Sequence, residues 1–478
     1  MKIELGIGGI RVSTLAEMCG GDVREGRGSD RIIKGICTDS READETTVFC
    51  ALRGERVDGH DYIRNALERG CPCVLCERSC EELEAAGAAA VVVSDSELAL
   101  SRFANAYRHA LSCHTVAVTG SVGKTTTKDL IASVLSVGHK TFSTPGNHNS
   151  VIGMPLSMAQ ISTDSEWSVL EMGMSGFGEI ERLSVVAEPD YAVITNIGTA
   201  HMELLGSREN ICRAKLEILC GLRDGGTLLL SADEPLLQGI GGKNYKTVYV
   251  STECEKADYF AKNIRVENNL TYFDICWKGG EEKNLCIRPM GKHNVYAALF
   301  AFAIAHMEGL SREEIREGLL AYAPRGLRQH MAQVGDWTFF QDCYNASPES
   351  MIAALDILSE YTKQSGRRSV AVLGDMLELG RQSGALHRKV GAYAAERGID
   401  LLVCIGAMGN QIAIGARQKG MKESSILRMA DADAINEIKQ MLLEELKCGD
   451  VVLFKASRGI RAERIISALS EHAEGKSE

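Results

Sequence analysis

Basic charge is in short supply in this 478-residue chain: 53 Lys and Arg stand against 64 Asp and Glu, a net charge of −11. Nucleic-acid and anionic-membrane binders draw affinity from a basic face, so the deficit argues against both kinds of partner. Proline is scarce too, at 8 residues against 48 glycines, which suits many tight strand-to-helix turns. Long apolar stretches are missing. The longest charge-free apolar run, Val295 to Ala305, is about half of the roughly 20 residues that span a bilayer. The N-terminus, MKIELGIGGIRVSTLAEMCGGD, has no charged start followed by an apolar segment, so neither membrane insertion nor a secretory leader is expected. Tandem repeats and low-complexity tracts are absent. What is present, 45% hydrophobic and 24% charged residues, describes a soluble globular protein, expected in the cytoplasm. The length exceeds one ordinary core and implies two to four domains.

Cysteine is plentiful, with sixteen residues. In a reducing cytosol these are expected as free thiols rather than disulfides. Four of them, Cys71, Cys73, Cys76 and Cys80, fall in CPCVLCERSC. Zinc is weighed there, but the spacing matches no paired CxxC pattern, and CPCVLCE reads as a short buried strand.

Residues 1–96 hold short strand-like pieces (IIKGICTD, TTVFCAL, CPCVLCE, AAAVVVSD) around one helix near Asp61–Glu68. From Ser101 a helical pattern leads into repeated strand, glycine turn and helix: HTVAVTG, WSVLEMG, YAVITNIG, GTLLLSAD, KTVYVS. Strands alternating with helices at this spacing predict a largely parallel, doubly wound sheet. Residues 257–288 alternate at period two and read as a meander, followed by helices at Asn294–Met307 and Arg312–Tyr322. APRGLRQ is a hinge candidate, with Gly326 at its centre, and a further α/β set runs from WTFFQDC to DVVLFKAS. The expectation is an α/β chain of three domains: 1–96, a central doubly wound unit over 97–325, and a Rossmann-like unit over 326–478.

The sharpest local signal is VAVTGSVGKTTT, residues 116–127. A strand runs into Gly120, and Gly123, Lys124 and Thr125 open a helix, so backbone N–H groups of Gly120, Ser121, Val122, Gly123 and Thr126 can wrap a phosphate. Lys124 adds a cation for the β- and γ-phosphates, and the Thr125 hydroxyl can reach Mg²⁺. The helix carries Leu130, Ile131, Val134 and Leu135 on one face, with Lys128 and Asp129 expected to point outward. The loop is a shortened GxxGKT, and it leaves kinase, motor, switch and ligase open. Downstream, Glu171 ends a strand where a doubly wound sheet presents ligands and suits a hard cation. His201 follows another strand end in ITNIGTAH. Lys215, in RAKLE, reads from the residues alone as a solvated helix lysine.

The ordered set TGSVGKTTT, LEMGM, ITNIGTAH, RAKLEI and GKHNVYAA resembles the Mur ligases, which build the peptide of the bacterial cell wall, over Thr38 to Arg464. QDCYNASPESM, VLGDMLELG with His387 downstream, and LFKASRG resemble the branch that adds the terminal dipeptide, and the DNPR motif of the diaminopimelate-adding branch is absent. The resemblance implies an ATP-dependent, Mg²⁺-dependent amide ligase acting through an acyl phosphate on UDP-N-acetylmuramoyl-tripeptide and D-alanyl-D-alanine, and a monomer. It implies that Lys124 and Thr125 hold ATP and Mg²⁺, with Glu171, His201 and a carbamylated Lys215 completing the metal and catalytic set. It further implies that Asn294 is on the adenine side and that Arg328 and Asp342 face the nucleotide. Tyr344, Asn345 and Lys455 would form the dipeptide-side site. Ser40, Arg41, Asp58 and His60, with Asn147 and Asn149 of the TPGN loop, would bind the uridine nucleotide substrate. Three segments depart from the family pattern: Ser150 and Ser347 each stand where Asn is usual, and Ala456 and Ile460 together replace Gly and Met of one segment. The rivals are another ligase on the same scaffold, adding diaminopimelate, lysine or glutamate to folate, and a P-loop switch protein that forms no bond.

Overall fold

The computed structural model describes residues 1–478 except 25, 27–28, 55, 79–82, 84–85, 325 and 476–478. Among the described residues three large sheets divide the chain, beside a two-stranded antiparallel ribbon of Ile10–Arg11 and Ile32–Ile33. The first has six strands in the spatial order Lys2–Glu4, Gly35–Cys37, Thr47–Cys50, Cys73–Cys76, Ala89–Val92, Asp22–Arg24, parallel in the middle with one antiparallel strand on each edge. The second has nine strands, running from Thr141–Ser143 through Trp167–Glu171, His114–Thr119, Tyr191–Ile194, Thr227–Ser231 and Lys246–Ser251. It ends in the meander Tyr259–Glu267, Leu270–Trp277, Gly280–Ile287, whose last two strands pair antiparallel. The third has six strands, parallel except for the edge strand His330–Val334.

The nine-stranded sheet is covered on both faces, as its unbroken apolar strands require. Val116, Val118, Val169, Val193 and Leu229 face one core, with helices Lys124–Gly138, His293–Met307 and Arg312–Ala321. Ala117, Leu170, Ala192 and Leu228 face the other, with helices Ser96–His109, Gly153–Met158 and Glu179–Ala187. That second core continues through Leu15, Ile36 and Leu75 into the first sheet. Strand His114–Thr119 lies between Trp167–Glu171 and Tyr191–Ile194. The chain order therefore reverses at its C-terminal end, where a doubly wound sheet opens a ligand crevice.

Several expectations are corrected. Lys128 does not point outward: it is 3% exposed, and its ammonium donates to Thr144 O at 2.5 Å and pairs with Asp129 at 2.8 Å. A helix at Val12–Cys19, buried through Val12, Leu15, Ala16 and Cys19, was not read from the sequence. At eight residues it is too short to form on propensity alone. Within the last α/β set, residues 407–449 form helix Gly409–Gln418, strand Ile426–Met429 and helix Ile435–Glu445. Not all the glycine serves turns. A Cβ at Gly391 would lie 1.8 Å from Ile412 O, and one at Gly415 would lie 1.9 Å from Arg388 O; these two residues let helices Ser383–Glu396 and Gly409–Gln418 touch backbone to backbone.

The cysteine cluster divides. Cys73 and Cys76, three apart on one strand, face opposite cores. The Cys71 thiol donates to the carbonyls of Thr47 and Cys73, and burial pushes it up to about 11. Cys80 lies outside the described residues. The hinge candidate is described except for Arg325, with Gly326 at φ 64° in the left-handed region.

Candidate active site

A cavity of about 520 Å³ opens at the switch point and is lined by the second and third units together. The phosphate loop forms its floor. Gly120 turns the chain at φ 149°, and a Cβ there would meet Thr195 Oγ1 at 1.8 Å, so no other residue fits. Asn196 braces the loop: its Oδ1 accepts from Val122 N–H at 3.0 Å, its Nδ2 donates to Val122 O at 3.0 Å, and its carbonyl accepts from Ser121 N–H at 3.1 Å. Gly123, at φ 82°, leads into helix Lys124–Gly138, whose N-terminus points its free N–H groups and positive dipole end at the cavity. Lys124 Nζ donates to Gly120 O at 2.8 Å, folded over the loop it will share with phosphate. Burial lowers its pKa, opposed by Glu171 and reinforced by Arg328.

Glu171 is 2% exposed. Its Oε2 accepts from the Thr125 hydroxyl at 2.8 Å and its Oε1 from Asn149 Nδ2 at 2.7 Å. A buried carboxylate held only by neutral donors, next to a hydroxyl and an amide oxygen, is an oxygen set that a hard cation such as Mg²⁺ fits. Among the described residues no three His, Cys, Asp or Glu side chains form a metal-ligating group. Thr125 and ligand oxygens would therefore have to complete the shell.

Lys215 corrects the reading of a solvated helix lysine. Helix Arg208–Leu216, capped by Ser207, buries it to 1% exposure. Burial, with Lys124 adding repulsion, pushes its pKa well below the ordinary value. It is not part of the cavity lining, although it feels the charge of Lys124, which is. His201 lines the cavity at φ 64°, its Nδ1 2.7 Å from Glu378 of the third unit.

The third unit contributes Arg328, Asp342, Tyr344, Asn345 and Lys455 to the same lining. The Arg328 guanidinium stacks 3.8 Å from the Tyr344 ring centroid, with Arg458 5.9 Å away. Lys455 is buried, and its Nζ donates to Asp342 Oδ2 at 2.6 Å and to the carbonyls of Asp342 and Asn345 at 3.3 Å. Lys455 thus fixes the strand end that carries Asp342, Tyr344 and Asn345. Removing one partner of a buried pair strands the other charge, so Lys455→Met should lower unfolding free energy by about 3 kcal/mol, with Asp342→Asn restoring part of the loss. Denaturant titration followed by tryptophan fluorescence, which Trp337 on the adjoining strand reports, checks this. Asn294 Nδ2 donates to Met290 O at 2.7 Å and to Gln329 Oε1 at 2.8 Å, and Gln329 reaches His293 at 2.8 Å. Burial, with Lys455 nearby, pushes His293 down to about 4. This chain across the hinge was not anticipated; only the GKHN segment hinted at it.

The remaining first-unit candidates stand apart from this cavity. Arg41 is 84% exposed and forks onto Asp39, while Ser40 is buried beside it. His60 Nδ1 is 2.6 Å from Asp58, and its Nε2 accepts from Glu77 N–H at 3.0 Å, so both ring nitrogens are engaged in holding the loop. Asn147 and Asn149 do line the cavity. His387 is structural: its Nδ1–H donates to Ser383 O at 2.7 Å and its Nε2 accepts from Met376 N–H at 2.9 Å. The three departures are absorbed locally. Ser150 Oγ accepts from Gly153 N–H, Ser347 caps helix Pro348–Ser365, and Ala456 packs against Gly374.

Fold and site together define a P-loop nucleotide-binding enzyme built of three α/β units. Comparison with known proteins carries this further. The Mur ligase family catalytic domain matches residues 32–108, the Mur ligase middle domain residues 118–305, and the Mur ligase glutamate ligase domain residues 328–458. The UDP-N-acetylmuramoyl-tripeptide–D-alanyl-D-alanine ligase of Bacillus subtilis is 38% identical over 461 residues, covering 96% of this chain and 98% of that one. A crystal structure of MurF from Acinetobacter baumannii superposes with a TM-score of 0.87 at 29% identity, over 98% of this chain and 100% of that one. MurF from Thermotoga maritima in complex with ADP gives 0.80 at 27% identity, over 92% and 98%. The chain belongs to the Mur ligase family and is an ATP-dependent ligase that forms amide bonds. No helix among the described residues is long and apolar enough to cross a membrane.

Proposed function

We propose that this enzyme joins D-alanyl-D-alanine to UDP-N-acetylmuramoyl-tripeptide at the expense of ATP, completing the peptide of a peptidoglycan precursor. One observation carries the reading: the phosphate loop and Glu171 on one side face Arg328, Tyr344 and Asn345 on the other across a single cavity. A triphosphate on the first set and an incoming amine on the second would then meet at one point.

The tripeptide carboxylate attacks the γ-phosphorus, the bond to ADP breaks, and an acyl phosphate forms. The dipeptide amine attacks the acyl carbon, and the tetrahedral intermediate expels inorganic phosphate. Carboxylate and triphosphate repel each other, so Lys124 and the helix N-terminus must offset that charge. Mg²⁺ held through Thr125 and Glu171 supplies further charge neutralisation when bound. Lys215 as its carbamate would add a further anionic group near Lys124; burial favours its neutral amine, the form that reacts with CO₂. Tyr344 and Asn345 hold the dipeptide while Arg328, Asp342 and Asn294 orient the nucleotide, and such positioning contributes on the order of 7–11 kcal/mol. In this reading Ser40, Arg41, Asp58 and His60 of residues 1–96 carry the uridine nucleotide, and Asn147 and Asn149 approach its sugar. Residues 97–325 bind ATP, and residues 326–478 bring the dipeptide.

Phosphate release tests the proposal. It should require ATP, Mg²⁺, the UDP-linked tripeptide and D-alanyl-D-alanine together, with each omission lowering the rate to background. Hydrolysis indifferent to both peptides would instead indicate a P-loop switch.

A further inference from the structure

The loop between strand Tyr191–Ile194 and helix Met202–Leu205 is held at both ends, and the two holds come from different units. On the nucleotide side, Asn196 brackets Val122 of the phosphate loop through both side-chain atoms, and Thr195 Oγ1 donates to Val122 O at 2.7 Å. Midway, Arg208 Nη2 donates to Ile197 O at 2.7 Å while also gripping the Glu234 carboxylate. On the far side, Glu349 reaches across from the third unit. Its Oε1 accepts from Thr199 N–H and from Thr199 Oγ1, both at 3.0 Å, and Oε2 lies 3.2 Å from the same hydroxyl. Gly198 sits at the junction: a Cβ there would lie 3.1 Å from both the Glu349 carboxyl carbon and Ser121 Cβ. The carboxylate and the phosphate loop are therefore separated by one residue without a side chain.

We propose that Glu349 is a positioning residue that ties docking of the third unit to the shape of the phosphate loop, acting through Thr199 and Asn196. Glu349 is the second residue of helix Pro348–Ser365, whose start is fixed by the capping box of Ser347 and Ser350. Its carboxylate is thus delivered by a rigid element rather than by a free chain. The same strand-to-helix connection carries Asn345, proposed to face the dipeptide. The connection proposed to face the second substrate therefore leads directly into the helix whose Glu349 holds the loop that shapes the first. Docked, Glu349 fixes Thr199, and Asn196 keeps the Ser121 and Val122 amides aimed at phosphate. Undocked, the loop keeps Arg208 but loses its outer anchor. Glu349 touches no reacting atom in this scheme.

The inference rests on the ligase reading for its kinetic arm alone. Glu349→Ala removes both acceptors, and Glu349→Gln keeps a carbonyl oxygen able to accept from the Thr199 N–H and hydroxyl. Losing a charge-assisted hydrogen-bond pair predicts a drop in kcat of roughly 10- to 100-fold for Ala, against less than about fivefold for Gln. The affinity for ATP, measured by equilibrium binding without peptide substrates, should change less than about threefold in both variants. Small-angle X-ray scattering with Mg²⁺ and a non-hydrolysable ATP analogue needs no ligation. There the Ala variant should show a larger radius of gyration than the parent, and Gln should match the parent. A parent that fails to ligate removes the function reading but leaves the scattering arm to decide. Equal kcat for Ala and parent, Gln no better than Ala, or identical scattering profiles would each overturn the proposal.

Discussion

Replacing Lys215 with Ala is expected to reduce ligation by on the order of 10²- to 10³-fold while ATP still binds. The argument starts from burial. A lysine 1% exposed on an otherwise polar helix is anomalous, because desolvating an ammonium is expensive unless the charge is lost or paired. Among the described hydrogen bonds and ion pairs Lys215 has no carboxylate partner, and both burial and the Lys124 charge favour its neutral amine. The neutral amine is the form that reacts with CO₂, and in the proposed reading the resulting carbamate is an anion that the nearby Lys124 favours instead of opposing. The Ala variant removes a long buried side chain near Lys124, leaving space that a small acid can enter. Acetate or formate at millimolar concentration should therefore restore part of the activity, whereas chloride at equal ionic strength should not. Lys215→Met, which fills the space without the nitrogen, should stay inactive and unrescued. Wild-type rates from the Ala variant would show that the buried amine serves packing only.

Lys124→Ala should produce a loss of similar or larger size, about 10³-fold in kcat. Lys124 supplies the one side-chain cation of the phosphate loop, and its Nζ rests 2.8 Å from Gly120 O, within reach of a phosphate bound by the same backbone. Attack by a carboxylate on a triphosphate brings two anions together, so removing this charge raises the barrier more than it weakens ground-state binding. Lys124→Arg should rescue little, because the loop is packed closely enough that Gly120 has no room for a methyl group. The diagnostic is a kcat effect that exceeds the change in ATP affinity at least tenfold, measured by single-turnover kinetics beside equilibrium binding.

These two lysines also mark how far sequence reasoning reaches. The phosphate loop was legible because its glycines, lysine and threonine are contiguous, and a strand and an amphipathic helix flank them. Glu171 was legible because strand ends in a doubly wound sheet face the crevice. Lys215 was not: nothing in RAKLE signals that its helix turns that side inward, and only the family resemblance singled it out. Lys128 failed for the opposite reason. Helical periodicity placed it outside, but the TPGN loop folds over it and supplies a carbonyl. Contacts between units, such as Glu349 with Thr199 and Gln329 with His293, join positions 150 and 36 residues apart and leave no periodic trace. The short helix Val12–Cys19 and the elements of 407–449 form because neighbouring helices and sheets cover them, a tertiary effect that local pattern does not encode.

The most direct test is mass analysis of the product. The purified enzyme is incubated with ATP, Mg²⁺, D-alanyl-D-alanine and UDP-N-acetylmuramoyl-tripeptide carrying either diaminopimelate or lysine as its third residue. The expected product is a UDP-linked pentapeptide, heavier than the tripeptide by one dipeptide less one water, formed one for one with ADP. ADP produced without any pentapeptide, or a product extended by a different amino acid, would contradict it.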